Sequence, residues 1–227
     1  MKFSESPYAG SIDLWKEAAA KPFVQEMAKG TLSEELFRNY MIQDYLYLLE
    51  YIDILRDILE QTGREDLRNF LQKVLEETEN ETYRVHLPHM KKAGVSDEEI
   101  EAAVMTPVIP EYIGFMRSQV RERGCLAGLT ALLQCSWLYA YIGERMISGY
   151  PEEIAASPYK FWFDAYICRD YIDANQMWID LLDREAEGIS SEMATVYKNI
   201  FRACAVYENR LWDELHQRQK PDPEEDR

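Results

Sequence analysis

CLAGLTALLQCSWLYAYIGERMIS, residues 125–148, is apolar almost all the way round a helix: Leu126, Leu129, Leu132, Leu133, Trp137, Leu138, Tyr141, Ile142 and Met146 fall on every side. A helix with one polar face lies at the surface of a globular protein, whereas one with almost none belongs at the centre of a bundle. Gly149 and Pro151 stop it. The rest of the chain can supply the neighbours, because apolar residues recur at steps of three and four nearly everywhere and strict alternation is scarce. With only 10 Gly and 9 Pro in 227 residues, breaks are few.

The periodicity predicts a first helix over roughly 4–20 and a short second one opened by Pro22. Ser33 caps a long helix to about Gln61, with Glu34 and Glu35 in its first turn and Gly63 beyond its end. Another runs from about Glu65 to Ala93 and stops at Gly94; Ser96 and Glu99 then form a capping-box pattern for a short helix. Pro107 or Pro110 opens the next, which ends near Gly124, and two more cover about 158–186 and 191–218. No internal repeat or long linker divides the chain. The expectation is all-α: a single helical-bundle domain over residues 1–218, with 219–227 a disordered tail.

Asp and Glu number 41 against 25 Lys and Arg, for a net charge of −16. So acidic a surface repels nucleic-acid phosphates and anionic lipid, which argues against nucleic acid and membrane surfaces as partners. A hydrophobic content of 47% argues against disorder. No run approaches the ~20 apolar residues that span a bilayer, and MKFSESPYAGSIDLW lacks the basic start and apolar run of a signal peptide. The expected compartment is the cytoplasm. Cys125, Cys135, Cys168 and Cys204 form no CxxC pair and are expected to be reduced thiols.

Polar groups on stripes that should be buried carry the functional signal. Phe201, Cys204, Glu208, Leu211 and Leu215 share one face of the last helix, and Glu208 is the only charge on it. A buried carboxylate must be paired, neutralised or turned to a polar cavity, and burial raises its pKa toward the range useful for moving protons near neutrality. The long helix has a stripe Phe37, Tyr40, Met41, Asp44, Tyr47, Leu48, Tyr51, Leu55, interrupted by Asp44. The central helix offers Cys135 and Tyr139 one turn apart. A bundle pocket lined by aromatics with a few convergent polar groups is the ordinary form of a small-molecule site. Each residue also has a plainer explanation. A buried Cys is usually a small hydrophobe, inward tyrosines are usually core, and Glu208 could pair with Arg145 as a structural ion pair. From the residues alone, a ligand-binding helical bundle stands ahead of any particular enzyme.

Taken together, the segments resemble one known family. LLQCSWLYAYIGERM (132–146) is similar to the signature of the TenA (thiaminase II) family, in which a Cys is followed by Trp-Leu-Tyr and then Gly-Glu. YMIQDYLYL (40–48) resembles its Gln-Asp segment and supplies Asp44 and Tyr47; Tyr112 stands where the family has a pocket tyrosine; VYENRLW (206–212) resembles its Tyr-Glu-x-x-Phe-Trp segment and supplies Glu208. PFVQEMAKGTLSEELFRNY (22–40) fits the family's opening stretch, so the likeness runs from about residue 3 to 216. There are departures: Leu211 replaces the Phe after the Glu, and Ile167 and Cys168 replace a glycine pair after the pocket tyrosine Tyr166.

The resemblance implies a haem-oxygenase-like bundle, usually a homotetramer, that needs no cofactor and no metal. It implies hydrolysis of 4-amino-5-aminomethyl-2-methylpyrimidine, or of thiamin, to 4-amino-5-hydroxymethyl-2-methylpyrimidine in thiamin salvage. Cys135 would be the nucleophile, Glu208 the acid–base group and Asp44 the ligand for the ring's amidine-like edge, with Tyr47, Tyr112, Tyr139 and Tyr166 lining the pocket. His86, His89 and His216 fall on no candidate face, and this chemistry needs no Cys–His pair. Two rivals use the same fold. One is a non-catalytic pyrimidine-binding or regulatory protein. The other is a di-iron oxygenase, for which Glu81, His86 and Glu144 would supply only part of a ligand set, since 158–186 contains no His. Haem degradation needs a proximal His near the N-terminus, and the first here is His86.

Overall fold

A computed structural model of the chain describes residues 2–217, apart from the side chain of Val85; the tail expected over 219–227 lies outside them. Among the described residues there are helices and no strand. In chain order they are α1 (Glu5–Ala9), α2 (Ile12–Ala20), α3 (Pro22–Lys29), α4 (Glu34–Gln61) and α5 (Glu65–Asn80). A π-helical turn (Glu81–His86) leads to α6 (Leu87–Lys92), α7 (Asp97–Ala102), α8 (Val108–Arg123) and α9 (Cys125–Gly149). α10 (Pro151–Ala156), α11 (Lys160–Ile167), α12 (Arg169–Glu185) and α13 (Ser191–Gln217) complete the set among the described residues. It divides into two compact units, one of Met1–Leu32 with Leu129–Gln217, the other of Ser33–Gly128, with the boundary inside α9.

The capping signals act as the sequence says. Ser33 Oγ accepts from the Leu36 N–H at 3.2 Å. At α7, Ser96 Oγ accepts from the Glu99 N–H at 3.2 Å while Glu99 Oε2 accepts from the Ser96 N–H at 2.8 Å. Gly30 ends α3 at φ +69°, a left-handed value that favours glycine, and Thr31 N donates to Glu26 O at 2.8 Å.

Three expected helices are interrupted. The stretch 4–20 breaks at Gly10 and Ser11, where the Gly10 carbonyl accepts from Arg202 Nη1 at 2.5 Å and a Cβ on Gly10 would sit 2.4 Å from Lys198 Cε. The stretch 158–186 breaks at Cys168, which is extended (φ −61°, ψ 151°). The stretch 65–93 contains the π-turn, and Pro88 follows it closely. A proline has no N–H for the carbonyl four residues back and its ring crowds that carbonyl, so the wider turn relieves a conflict that a continuous α-helix could not. Pro151, expected only to stop α9, also opens α10 as its first residue.

In the first unit Trp15, Phe23, Val24, Met27, Phe163, Phe201 and Trp212 are fully buried. The Trp15 ring touches those of Tyr8, Trp137 and Phe201 at 5.1, 5.5 and 5.9 Å. Asn209 Nδ2 ties α13 to α2 through the Leu14 carbonyl at 3.0 Å. In the second unit α4 packs on α5 and α8, and Gln43 clamps the approach to α8 by donating to Val104 O (3.0 Å) and accepting from Thr106 N (2.7 Å).

Contrary to the residue count, α9 is long and apolar enough to cross a membrane by length and composition. Of its most apolar window 72% is buried inside the protein, the condition of a core helix. Gly128 makes the start of α9 fit: a Cβ there would lie 2.6 Å from Val120 Cγ2 and 2.7 Å from Ile58 Cδ1. Gly128→Val is expected to destabilise the protein by about 2 kcal/mol through overpacking. The corresponding drop in Tm is roughly 4–8 °C, to be read by thermal and urea unfolding.

Candidate functional site

In the first unit the inward stripe of α13 is as expected: Phe201, Cys204, Glu208, Leu211 and Leu215 are all buried, with Glu208 1% exposed. On α9, Cys135 and Tyr139 are buried one turn apart. The Tyr139 ring lies 5.7 Å from that of Trp212, which is one turn beyond Glu208. The face of α9 that carries Cys135 and the face of α13 that carries Glu208 therefore look toward each other. Tyr166 and Trp162 of α11 close the aromatic wall, at 5.0 and 5.8 Å from Tyr139 and 4.6 Å from each other.

The backbone beside Cys135 is fixed from α12: Tyr171 OH donates to Ser136 O at 3.0 Å, and Ser136 Oγ donates to Tyr171 OH at 3.1 Å. Tyr171 in turn sits edge-on to Tyr166 at 5.1 Å. The departure at Ile167 has a packing reason. A Cβ on Gly143 of α9 would stand 2.9 Å from Ile167 Cγ2, so the branched side chain fills space that a glycine on α9 leaves. Cys168 is exposed, and no disulfide joins any of the cysteines among the described residues. Arg145 is exposed and lines a surface hollow with Lys16, Gln25 and Tyr150, so the structural ion pair it could have made with Glu208 is not formed.

The second unit holds Asp44, Tyr47 and Tyr112. Tyr47 and Tyr112 stack at 5.7 Å with 26° between planes, joining α4 to α8. Asp44 is 8% exposed, and burial pushes its carboxyl up to about 7 against a weaker pull from Tyr40 OH, 3.4 Å from Oδ2. His86, expected to lie off every candidate face, instead faces Asp44: its Nε2 is 3.4 Å from Asp44 Oδ2 and 3.2 Å from the Met41 carbonyl. Burial lowers the His86 pKa, with Glu81 and the Met41 carbonyl opposing. Glu81 is raised to about 6, first by burial and then by the charge of Asp44, with His86 opposing. The signal for His86 was present. It stands four residues after Thr82 and four before Met90, and all three are buried.

Among the described residues no group of three or more His, Cys, Asp or Glu is arranged to hold a metal ion. Glu81 and His86, two of the residues considered for a di-iron set, look at Asp44, and Glu144 is exposed on α9.

The fold agrees with what comparison finds. The model of the TENA/THI-4/PQQC family matches residues 12–218, and the chain belongs to that family. It is similar to the aminopyrimidine aminohydrolase of Halalkalibacterium halodurans, 31% identical over 215 residues, 94% of this chain and 95% of that one. It is similar also to the aminopyrimidine aminohydrolase of Helicobacter pylori, 25% identical over 217 residues, 96% of this chain and 100% of that one. Of solved structures, the TenA homologue from P. horikoshii OT3 superposes with a TM-score of 0.85 at 22% identity, covering 95% of this chain and 98% of that one.

Asp44 makes stability depend on pH with a definite sign. Its folded pKa of about 7 lies above the ordinary value of 3.8, so the folded state keeps a proton that the unfolded chain has lost. That stability is complete below pH 4 and is lost as pH rises toward 7. Asp44→Asn, which cannot ionise, is expected to exceed the wild type by roughly 2–4 kcal/mol at pH 8 and to match it near pH 4. Urea unfolding at both pH values checks this.

Proposed function

We propose that the chain is an aminopyrimidine aminohydrolase of the thiaminase II type. It hydrolyses 4-amino-5-aminomethyl-2-methylpyrimidine, or thiamin, to 4-amino-5-hydroxymethyl-2-methylpyrimidine, with Cys135 as nucleophile and Glu208 as acid and base. The observation that carries the reading is the facing of the Cys135 side of α9 and the Glu208 side of α13 across a wall of Tyr139, Tyr166, Trp162 and Trp212. The names of the relatives that match over most of both chains support it.

Glu208 protonates a ring nitrogen, which makes C6 of the pyrimidine electrophilic, and the Cys135 thiolate adds there. The electron pair released into the ring expels ammonia from the exocyclic methylene, or the thiazole when the substrate is thiamin. Water adds to the methylene, its proton passes to a base, and the C6–S bond breaks to return the thiolate. One difficult displacement becomes two easier steps. Asp44 binds the amidine-like edge. A carboxyl with a pKa of about 7 can donate its O–H to a ring nitrogen while its carbonyl oxygen accepts from the amino group, a two-point match that fixes orientation. Tyr47 and Tyr112 offer ring surface for stacking. The same reading carries the cytoplasm as compartment and the homotetramer as assembly; Met177 and Val206, 48% and 43% exposed, give the first unit apolar surface for subunit contact.

The test is ammonia release from the aminomethylpyrimidine. Cys135→Ser and Glu208→Gln are expected to lose roughly 10²-fold or more in kcat while keeping the wild-type circular dichroism and still binding the product pyrimidine. Turnover retained in Cys135→Ser discards the covalent route. A wild type that binds pyrimidine without releasing ammonia supports a binding protein instead.

A further inference from the structure

Asp44 lies beside Glu81 and His86, two groups that the chemistry above does not use. Neither Asp44 nor Glu81 makes an ion pair with a Lys or Arg among the described residues, so the buried Asp44 and the half-buried Glu81 stand beside neutral or weakly basic groups. An arrangement built only for stability would supply a guanidinium or replace the acids, because buried carboxyls beside one another cost stability. We propose that Glu81 and His86, brought onto one face by the π-turn, are positioning residues that fix the orientation and proton content of Asp44.

The backbone supports this first. Residues five apart are about 140° apart around an α-helix, so in a regular helix Glu81 and His86 would point to different neighbours. In the Glu81–His86 stretch the hydrogen bonds close five residues apart, and the wider turn sets His86 against Met41 and Asp44 of α4 with Glu81 near enough to feel the charges of both Asp44 and His86. Thr82, fully buried within the turn, is tied down by its Oγ1–H to the Thr78 carbonyl at 2.7 Å. Pro88 beyond it keeps the wide turn from relaxing into an α-helix.

The imidazole geometry supports it second. The Met41 carbonyl can only accept, so the Nε2 that lies 3.2 Å from it carries the hydrogen. Asp44 Oδ2 lies 3.4 Å from the same Nε2, a close approach beside the hydrogen bond to Met41. His86 is thus anchored to the α4 backbone one turn before Asp44 and holds its ring beside one carboxyl oxygen. The Tyr40 hydroxyl reaches that same oxygen at 3.4 Å, which leaves Oδ1 as the atom outside both contacts. The titratable groups that face Asp44 are Tyr40 on its own helix and His86 and Glu81 on the π-turn. From α8, Tyr112 places its ring on Tyr47, and Tyr45 and Tyr83 act on one another. With two acids and one imidazole so close, protons leave the cluster in coupled steps, and the charge of Glu81 opposes ionisation of Asp44.

The inference rests on the proposed function only for the claim that Asp44 meets a pyrimidine, so the experiment has two arms. In the first, carbon-13 NMR follows the Asp44 side-chain carboxyl against pH, assigned with Asp44→Asn. Glu81→Gln is expected to lower the Asp44 midpoint by about one pH unit and to turn a two-step curve into one step. His86→Leu raises the midpoint, and His86→Gln, which keeps an N–H at similar reach, restores it toward the wild type. Superimposable curves for Glu81→Gln and wild type overturn the proposal even if His86→Leu fails to fold. In the second arm, calorimetry with 4-amino-5-hydroxymethyl-2-methylpyrimidine is expected to show the pH dependence of Kd moving with the Asp44 midpoint. His86→Leu should weaken binding about tenfold and raise KM more than it lowers kcat. Shifted NMR curves in a protein that binds no pyrimidine support the cluster and reject the functional reading; shifted curves with an unmoved Kd profile overturn the link to Asp44's role.

Discussion

The ring of Tyr139 against the ring of Trp212 is the contact on which the facing of α9 and α13 depends. Each residue sits one helical turn from a group proposed to take part in catalysis, Cys135 on α9 and Glu208 on α13, so the packing of two aromatic side chains orients the faces that carry them. Such a contact suits the task because aromatic rings bury a large area with few rotatable bonds. Trp162 and Tyr166 lean on the same pair, and Tyr171 carries the support onward to the backbone at Ser136. A thiol and a carboxyl have little packing surface of their own, and the neighbouring rings hold their helices in place.

Burying an acid is the second constraint, and Asp44 accepts it in a particular way. The groups against Asp44 are a phenol that donates to it and an imidazole that stands beside it, rather than a guanidinium. Neutral donors orient a carboxyl without holding it ionised, so its proton stays within reach of neutral pH. A guanidinium would have held the charge and forfeited the proton. Stability at neutral pH is lower for it, a common condition of groups placed for function rather than for the fold.

Signals carried by neighbouring residues were legible in the sequence. Ser33 and the Ser96–Glu99 box cap their helices, and Gly124 ends its helix at positive φ, because a cap is made within a few residues of itself. The inward stripe of α13 is buried as its spacing required, and so is that of α4 except for the half-buried Leu48. The breaks at Gly10 and Cys168 were not legible. The first depends on Arg202 and Lys198 arriving from the far end of the chain, and no local pattern contains that arrival. Ile167 reads as a departure in sequence and as a fit in space, because Gly143 is its partner.

By itself, then, the sequence determined that the chain is helical, which face of each helix turns inward, and that Cys135, Asp44 and Glu208 lie on such faces. These follow from a periodicity that every helix carries alone. Only the tertiary structure decided what each inward group meets: His86 and Glu81 at Asp44, the open surface at Arg145, Trp212 at Tyr139. The rotation of one helix about its axis relative to its neighbour is set by the sum of their side-chain contacts. In the π-turn even the number of residues per turn yields to its surroundings.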